Sequence, residues 1–357
     1  MTLRTLSQLT LIPLLTLVLA ACGQSPEQDA DAAAGPAADA AAATDATDDA
    51  TAESDSEEEE WFPDNEILLA DLDLSGDLPR VTSEPVNITQ RPGYDNQPAF
   101  LPDSTGFYYA SIREDGQSDP YFYDIATGTT SRVLATPESE YSPTPMADGR
   151  FSAVRLDAES SQQFWAWEPA TGEGEELLPG VTRIGYFTWL DDHRIAMFVV
   201  EEPFSIYLAD VATGELEKVI DQVGRGLRRK PGSGLFGFID ASEIEVDEDG
   251  RMVGGTAWVA TYDPDTGVVE RLVATPDHRV QDFAWTPDGG ILMGGGYTDE
   301  GRGRILYWHP EYAPELTEVV LLPPMEGVSR PSVTRMAISP DGTHIAIVVL
   351  TNAPEDM

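Results

Sequence analysis

One turn signature returns along most of this chain at a nearly constant interval, and a repeat of that length leaves few folds open. The series is Phe100-Leu101-Pro102-Asp103, Pro145-Met146-Ala147-Asp148, Trp189-Leu190-Asp191-Asp192, Trp285-Thr286-Pro287-Asp288 and Ile338-Ser339-Pro340-Asp341. The last Asp of each steps by 45, 44, 96 and 53 residues, so one unit inside the step of 96 has lost its turn. A second series, Ala126-Thr127-Gly128, Ala170-Thr171-Gly172, Ala212-Thr213-Gly214 and Asp265-Thr266-Gly267, steps by 44, 42 and 53 and supplies the missing unit. Between the turns lie short alternating apolar segments, and none keeps a helical period over a dozen residues, so the region from 61 to 357 is all-β. Each unit offers strand, Asp turn, strand, loop, strand, Thr-Gly hairpin, strand: one four-stranded antiparallel blade. An isolated blade leaves both faces in water, so blades must stack radially and close.

Six units of about 48 residues fill that span. The last unit has only its first two strands, near Met336–Ile338 and Ile345–Val349, before the chain ends. Its outer strands are expected at the other end, at Glu66–Ala70 and Val86–Thr89. The expectation is a six-bladed β-propeller whose last blade is built from N- and C-terminal strands, which removes open edges. The segments Asn87–Asp103 and Phe283-Ala284-Trp285-Thr286-Pro287-Asp288-Gly289 resemble the repeat of TolB-type, WD40-like β-propellers. That resemblance covers most of residues 65–350. It implies a protein- or ligand-binding scaffold of the cell envelope without specifying one activity.

The amino terminus reads as an address. Arg4, an apolar run from Leu9 to Leu19 and the small residues Ala20-Ala21 describe a secretory signal peptide, residues 1–21. Leu19-Ala20-Ala21-Cys22 resembles a bacterial lipobox and contains the only cysteine, so Cys22 is the expected lipidation site. Gly23 rather than Asp after it implies, by the same resemblance, the outer membrane facing the periplasm, with surface exposure left open. Several acyl chains hold a protein stably, at about 0.8 kcal/mol per buried methylene. Residues 22–60 follow as lipidated Cys and tether: 23–60 have thirteen acidic residues, no Lys, Arg or aromatic residue, and end in Glu57–Glu60. Such a stretch cannot bury enough apolar area to order itself.

The formal charge of −42 argues against a nucleic-acid partner, whose phosphates select basic surfaces. Basic residues nevertheless concentrate in the segments expected to join one blade to the next beside the axis, 90–96, 135–142, 179–185, 221–234, 274–282 and 323–335. Nine of the domain's 20 Lys and Arg fall there with seven acids, a local balance of +2 against −32 elsewhere in 61–357. Arg91, Arg183, Arg228, Arg229, Lys230, Arg279 and Arg335, with Tyr94, Tyr141 and Tyr186, are therefore the candidate ligand-binding residues of a channel mouth. Arg225 and Arg330 complete the nine. Arginine holds carboxylates bidentately and tyrosine adds apolar contact with a polar tip, so the expected partner is an envelope protein, an acidic peptide or another anion. The plainer alternative is that these arginines only balance neighbouring carboxylates.

No catalytic set is expected. The chain has no Gly-x-Ser-x-Gly elbow, and His193, His278, His309 and His344 fall in separate turns and loops instead of converging on a metal. The alternative function is a propeller hydrolase or lyase acting on envelope saccharides or peptides. No cofactor is expected, with one weak calcium signal: Asp71, Asp73, Ser75 and Asp77 alternate, with Gly76 at the sixth position, like the start of a calcium loop, but position twelve is Thr82 instead of Glu. A plain polar hairpin accounts for the same residues.

Overall fold

The computed structural model describes residues 63–248 and 250–352. Within them every regular element is a strand, and the strands form six antiparallel sheets. From the inside outward, blade one comprises Asp95–Phe100, Gly106–Ile112, Ser118–Asp124 and Thr129–Arg132. Blade two comprises Ser139–Pro145, Phe151–Leu156, Gln162–Trp167 and Gly174–Glu176. Blade three comprises Ile184–Trp189, Arg194–Val199, Ser205–Asp210 and Leu216–Asp221. Blade four comprises Val223–Arg229, Phe236–Val246, Met252–Tyr262 and Val269–Ala274. Blade five comprises Ala284–Trp285, Ile291–Tyr297, Gly303–His309 and Ala313–Leu321.

The sixth blade closes the ring as expected. Ser332–Ile338 lies innermost, His344–Leu350 second and Asn65–Asp73 third. Seven residue pairs join the two ends of the chain, from Asn65↔Leu350 through Leu68↔Ile347 to Asp71↔His344. The outer position is shared by two short strands, Arg80–Val81 and Val86–Asn87, both paired to Asn65–Asp73.

The repeated turns explain the periodicity. An Asp carboxylate accepts the amide two residues on, at Asp103/Thr105, Asp148/Arg150, Asp191/His193 and Asp341/Thr343, which fixes the turn between the first two strands. In unit three that residue is Asp191, one before the Asp192 of the sequence series. Blade four lacks the Asp, and Ser233 serves instead: its hydroxyl donates to the Lys230 carbonyl and accepts from the Leu235 amide. The Thr-Gly hairpins end on Gly128, Gly172, Gly214 and Gly267 with φ of 66° to 75°, a left-handed conformation that side chains resist.

Blades adhere through both faces. In the second strand of the closing blade Ile345, Ile347 and Val349 pack on blade five, with Leu292 and Ile305, while Ala346 and Val348 pack on blade one, with Phe107 and Tyr109. That double burial is why the strand reads as an unbroken apolar run instead of alternating. Polar bonds cross all six interfaces. They run from Ser142 N to Gln97 (2.6 Å), Trp189 Nε1 to Ser152 (2.9 Å), Arg229 N to Thr188 (3.1 Å), Arg228 to Asp282 (2.9 Å), Arg335 to Asp282 (3.3 Å) and Asp341 N to Ser104 (3.2 Å).

The boundaries expected for the mouth loops were too wide. Residues 95–96, 139–142, 184–185, 223–229 and 332–335 belong to innermost strands. Arg225, Arg228 and Arg229 accordingly lie on a strand, not in a loop.

Ile347 is fully buried at the seam. Ile347→Ala should cost about 2–5 kcal/mol, seen as a lower urea midpoint with unchanged slope in tryptophan fluorescence. Val268→Ala, at a 60% exposed position, should move it by less than about 0.5 kcal/mol.

Candidate ligand site at the channel axis

Each innermost strand runs from the face where blade joins blade, the mouth, toward the face of the Asp turns. These strands are irregular. Register shifts interrupt them at Asn96/Ala99, Tyr141/Thr144, Ile184/Tyr186, Val223/Leu227 and Val333/Arg335. Gln97 (φ 60°) and Ser142 (φ 56°) sit in two of them in the left-handed region. Each such residue costs on the order of 1 kcal/mol, and bulges re-aim side chains at sites.

The side chains so re-aimed meet at the axis. Arg335 of the closing blade places its guanidinium 5.0 Å from the ring centre of Tyr186 in blade three. Those blades are opposite in a ring of six, so the contact crosses the channel. Asp282, just before the inner strand of blade five, takes Arg228 at 2.9 Å and lies 3.3 Å from Arg335 Nε. Asp282 and Arg335 are buried, at 5% and 6% exposure. Burial pushes the Arg228 guanidinium below its ordinary value, opposed by Asp282 and reinforced by the nearby charges of Arg335 and Arg225. Two guanidiniums thus share one carboxylate, and the charge of a third, Arg225, acts on Arg228. Among the described residues five buried donors on innermost strands have no hydrogen-bond partner: Gln97 Nε2, Ser142 Oγ, Arg225 Nε, Trp285 Nε1 and Arg335 Nε, the last beside Asp282 but off its hydrogen-bonding line; two carboxylate oxygens on these strands, Asp95 Oδ1 and Glu140 Oε2, are unmatched as well. Buried unmatched groups are rare, and those of Arg225 and Arg335 belong to cations suited to an anion.

The other candidates are dispersed. Arg91 bonds Asp95 at 2.9 Å and the Ile112 carbonyl at 2.7 Å, so it braces blade one. Tyr94 and Tyr141 are buried at 2% exposure in edge contact, ring centres 6.3 Å apart, and belong to the core more than to a rim. Arg183 is exposed at the mouth. Arg279 is spent on Asp277 at 2.8 Å. Arg229 lies at the far end of its strand, and Lys230 is at the face opposite the mouth, 5.3 Å from the Trp285 ring centre. Its placement at the mouth is thereby corrected. The strand Val223–Arg229 carries the chain through the whole channel, so residues adjacent in sequence emerge at opposite faces. Asp282 was visible in sequence only as one of seven acids; no spacing marked it as the partner of two arginines.

His309 accepts the amides of Glu311 and Tyr312 and stacks on Tyr312. Asp71 and Asp73 lie on the third strand of the closing blade, while Ser75 and Asp77 are in the turn beyond. Asp73 holds Arg80 at 2.7 Å and the Ser75 amide at 2.9 Å. The Ser75 and Arg80 hydrogen bonds pull its carboxyl down to about 2. Among the described residues no group of three His, Cys, Asp or Glu is arranged to hold a metal.

A second buried acid borders the mouth between blades one and two. Glu140 is fully buried; Thr136 donates to Oε1 at 2.5 Å and Oε2 has no partner. Burial pushes its carboxyl up to about 8, against the Thr136 bond, with the Asp119 charge adding to the rise. The folded form therefore keeps a proton that the unfolded chain loses near 4.5. Stability should fall as pH rises from about 4.5 to about 8 and level off above. Glu140→Gln should flatten that slope in urea titrations across the window; an unchanged slope would show that Glu140 ionises freely.

No protein-family model and no curated protein matches the chain. Solved structures do. A putative TolB from Agrobacterium tumefaciens aligns with TM-score 0.56 and 14% identity over 82% of this chain and 99% of that one. A gluconolactonase from Xanthomonas campestris aligns with TM-score 0.54 and 10% identity over 76% and 91%. TolB from Acinetobacter baumannii aligns with TM-score 0.49 and 15% identity over 80% of this chain, which spans 63% of that protein. At such identities the likeness concerns the fold, and the chain is a six-bladed β-propeller whose structural neighbours include TolB proteins and an enzyme.

Proposed function

We propose that this propeller is a non-catalytic binding scaffold that takes a carboxylate-bearing ligand, an acidic peptide or a small organic acid, into its channel from the mouth. The carrying observation is the cation cluster near the axis: Arg228 and Arg335 share Asp282, Arg225 lies close to Arg228, and the Nε donors of Arg225 and Arg335 are unmatched. A bound carboxylate would take up those donors and neutralise charge whose burial is costly. The Arg335–Tyr186 contact spans the axis, so a ligand presents a tip instead of threading through. Arg183 and Arg330, both exposed in mouth segments, would steer it past an otherwise acidic body. TolB and gluconolactonase neighbours show that this fold serves both binding and enzymatic proteins, so the reading rests on the axis chemistry.

The proposed location is the bacterial envelope, with Cys22 lipidated in the outer membrane and residues 23–60 as spacer. These residues lie outside the described ones. Asp64 and Asn65 are held at Gly93 and Tyr94, so the chain enters the propeller on the mouth side.

Among the described residues Arg225 makes no ion pair, and it is partly exposed, so its substitution breaks no ionic contact of the fold. In isothermal titration with a hexaglutamate peptide and with citrate, Arg225→Glu should weaken binding at least about tenfold, near 1.4 kcal/mol, with the melting midpoint kept. Equal affinity of the variant, or no binding by the native chain, contradicts the proposal.

A further inference from the structure

Blade four carries an arm that the other blades lack. Its middle strands, Phe236–Val246 and Met252–Tyr262, are eleven residues long, whereas the middle strands of blades one, two, three and five have six or seven. Pairing with the inner strand ends where Ala241 donates to Gln222, and pairing with the outer strand ends where Thr275 donates to Ala257. Beyond these bonds 242–246 and 252–256 pair only with each other, so a two-stranded arm rises about 16 Å on the mouth side. Arg271 fixes its base, bonding Asp240 (2.7 Å), Glu243 (2.6 Å) and Ser242 (3.0 Å) while lying 5.4 Å from the Trp258 ring centre. Trp258 Nε1 also donates to Glu243. Isolated ribbons are marginal in water, and this clamp holds the arm in place.

The edge 242–246 lies on the axis side of the arm and, among the described residues, pairs with no strand other than 252–256, while the Ser242 amide is taken by Asp240. Its two faces differ. Glu243 and Glu245 share one, and Ile244 and Val246 share the other, Ile244 half-buried against the core between blades four and five and Val246 58% exposed. We propose that this edge is a docking strand for an extended segment of a partner protein that alternates Lys or Arg with Val or Ile. Added as a further antiparallel strand, the segment would place a cation opposite Glu245, since Glu243 is held by Arg271 and Trp258, and an apolar residue beside Val246. Backbone bonds supply affinity in this mode of recognition, and the alternate side chains supply specificity. Charge decides the occupant. A second copy would bring the same acidic edge, and residues 23–60 hold thirteen acids and no base, so neither is suited to this site.

The test uses a labelled six-residue peptide alternating Lys and Val, followed by fluorescence anisotropy with the full chain. Three comparisons report on it: the same peptide N-methylated at alternate amides, which keeps its charge, and the chain carrying Glu245→Lys or with 243–255 replaced by Asn-Gly. Each should weaken binding at least tenfold, while a Glu/Val peptide should not bind. Equal binding of the N-methylated peptide would reduce the contact to charge alone and overturn the proposal. So would full binding by the Glu245→Lys chain, or an arm-dependent dimer in sedimentation, which would make a second copy the occupant. Should the shortened chain fail to fold, the N-methylated peptide and Glu245→Lys still decide.

Discussion

Seven residue pairs between Asn65–Asp71 and His344–Leu350 hold the two ends of this chain in one sheet, and the rest of the architecture depends on that seam. Without it the ring would expose the edge of His344–Leu350 and the packed faces of blades one and five, surfaces that associate with other chains. With it, every blade has two neighbours and the innermost strands are held around a common axis. The composition of the seam fits the task. Ile67, Ile345, Ile347 and Val348 are wholly buried, and β-branched residues suit a pleated, doubly covered surface. Closing a loop that spans most of the chain carries an entropic cost, but that cost grows only slowly with loop length.

The axis turns geometric convergence into chemistry. An arginine on a single strand of an acidic protein would ordinarily find a surface carboxylate and contribute little. Bulges at Val223/Leu227 and Val333/Arg335 accompany the meeting of Arg228 and Arg335 at one Asp282, with Arg225 near Arg228. The left-handed Gln97 and Ser142 belong to the same irregular inner strands. A closed ring of rigid blades can sustain that local strain. The body's net negative charge disfavours anions over most of its surface, so the proposed acidic ligand would be retained near this axis.

Much of the fold was legible because turn chemistry is local. An Asp accepting the amide two residues on, or a Gly at positive φ, is decided by three or four residues, so Asp103, Asp148 and Asp341 marked blades directly. Blade four showed only through its Thr266-Gly267 hairpin, because Ser233 does the work of the Asp in a Pro-Gly-Ser-Gly sequence that reads as flexible loop. The site was harder. Charge counting found the arginines, but whether Arg228 or Lys230 faces the axis depends on strand boundaries and bulges set by contacts with other blades. Arg279 illustrates the alternative weighed from sequence, an arginine that balances a neighbouring carboxylate, and Arg91 is a second case. Arg335 goes beyond that description, since it pairs with Asp282 of blade five and also reaches across the channel to Tyr186. The long arm of blade four had no local signal, because its length shows only against the other blades.

Hydrogen exchange at the seam tests circular closure most directly. The amides of Ile67, Leu69, Ile345 and Ile347 should exchange only through global unfolding, with the same opening free energy as the slowest amides of blades two and three. Protection at Asn65–Asp73 that is lost well below that energy, while the other blades stay protected, would mean that the amino-terminal strand is an appendage and the ring stands open without it.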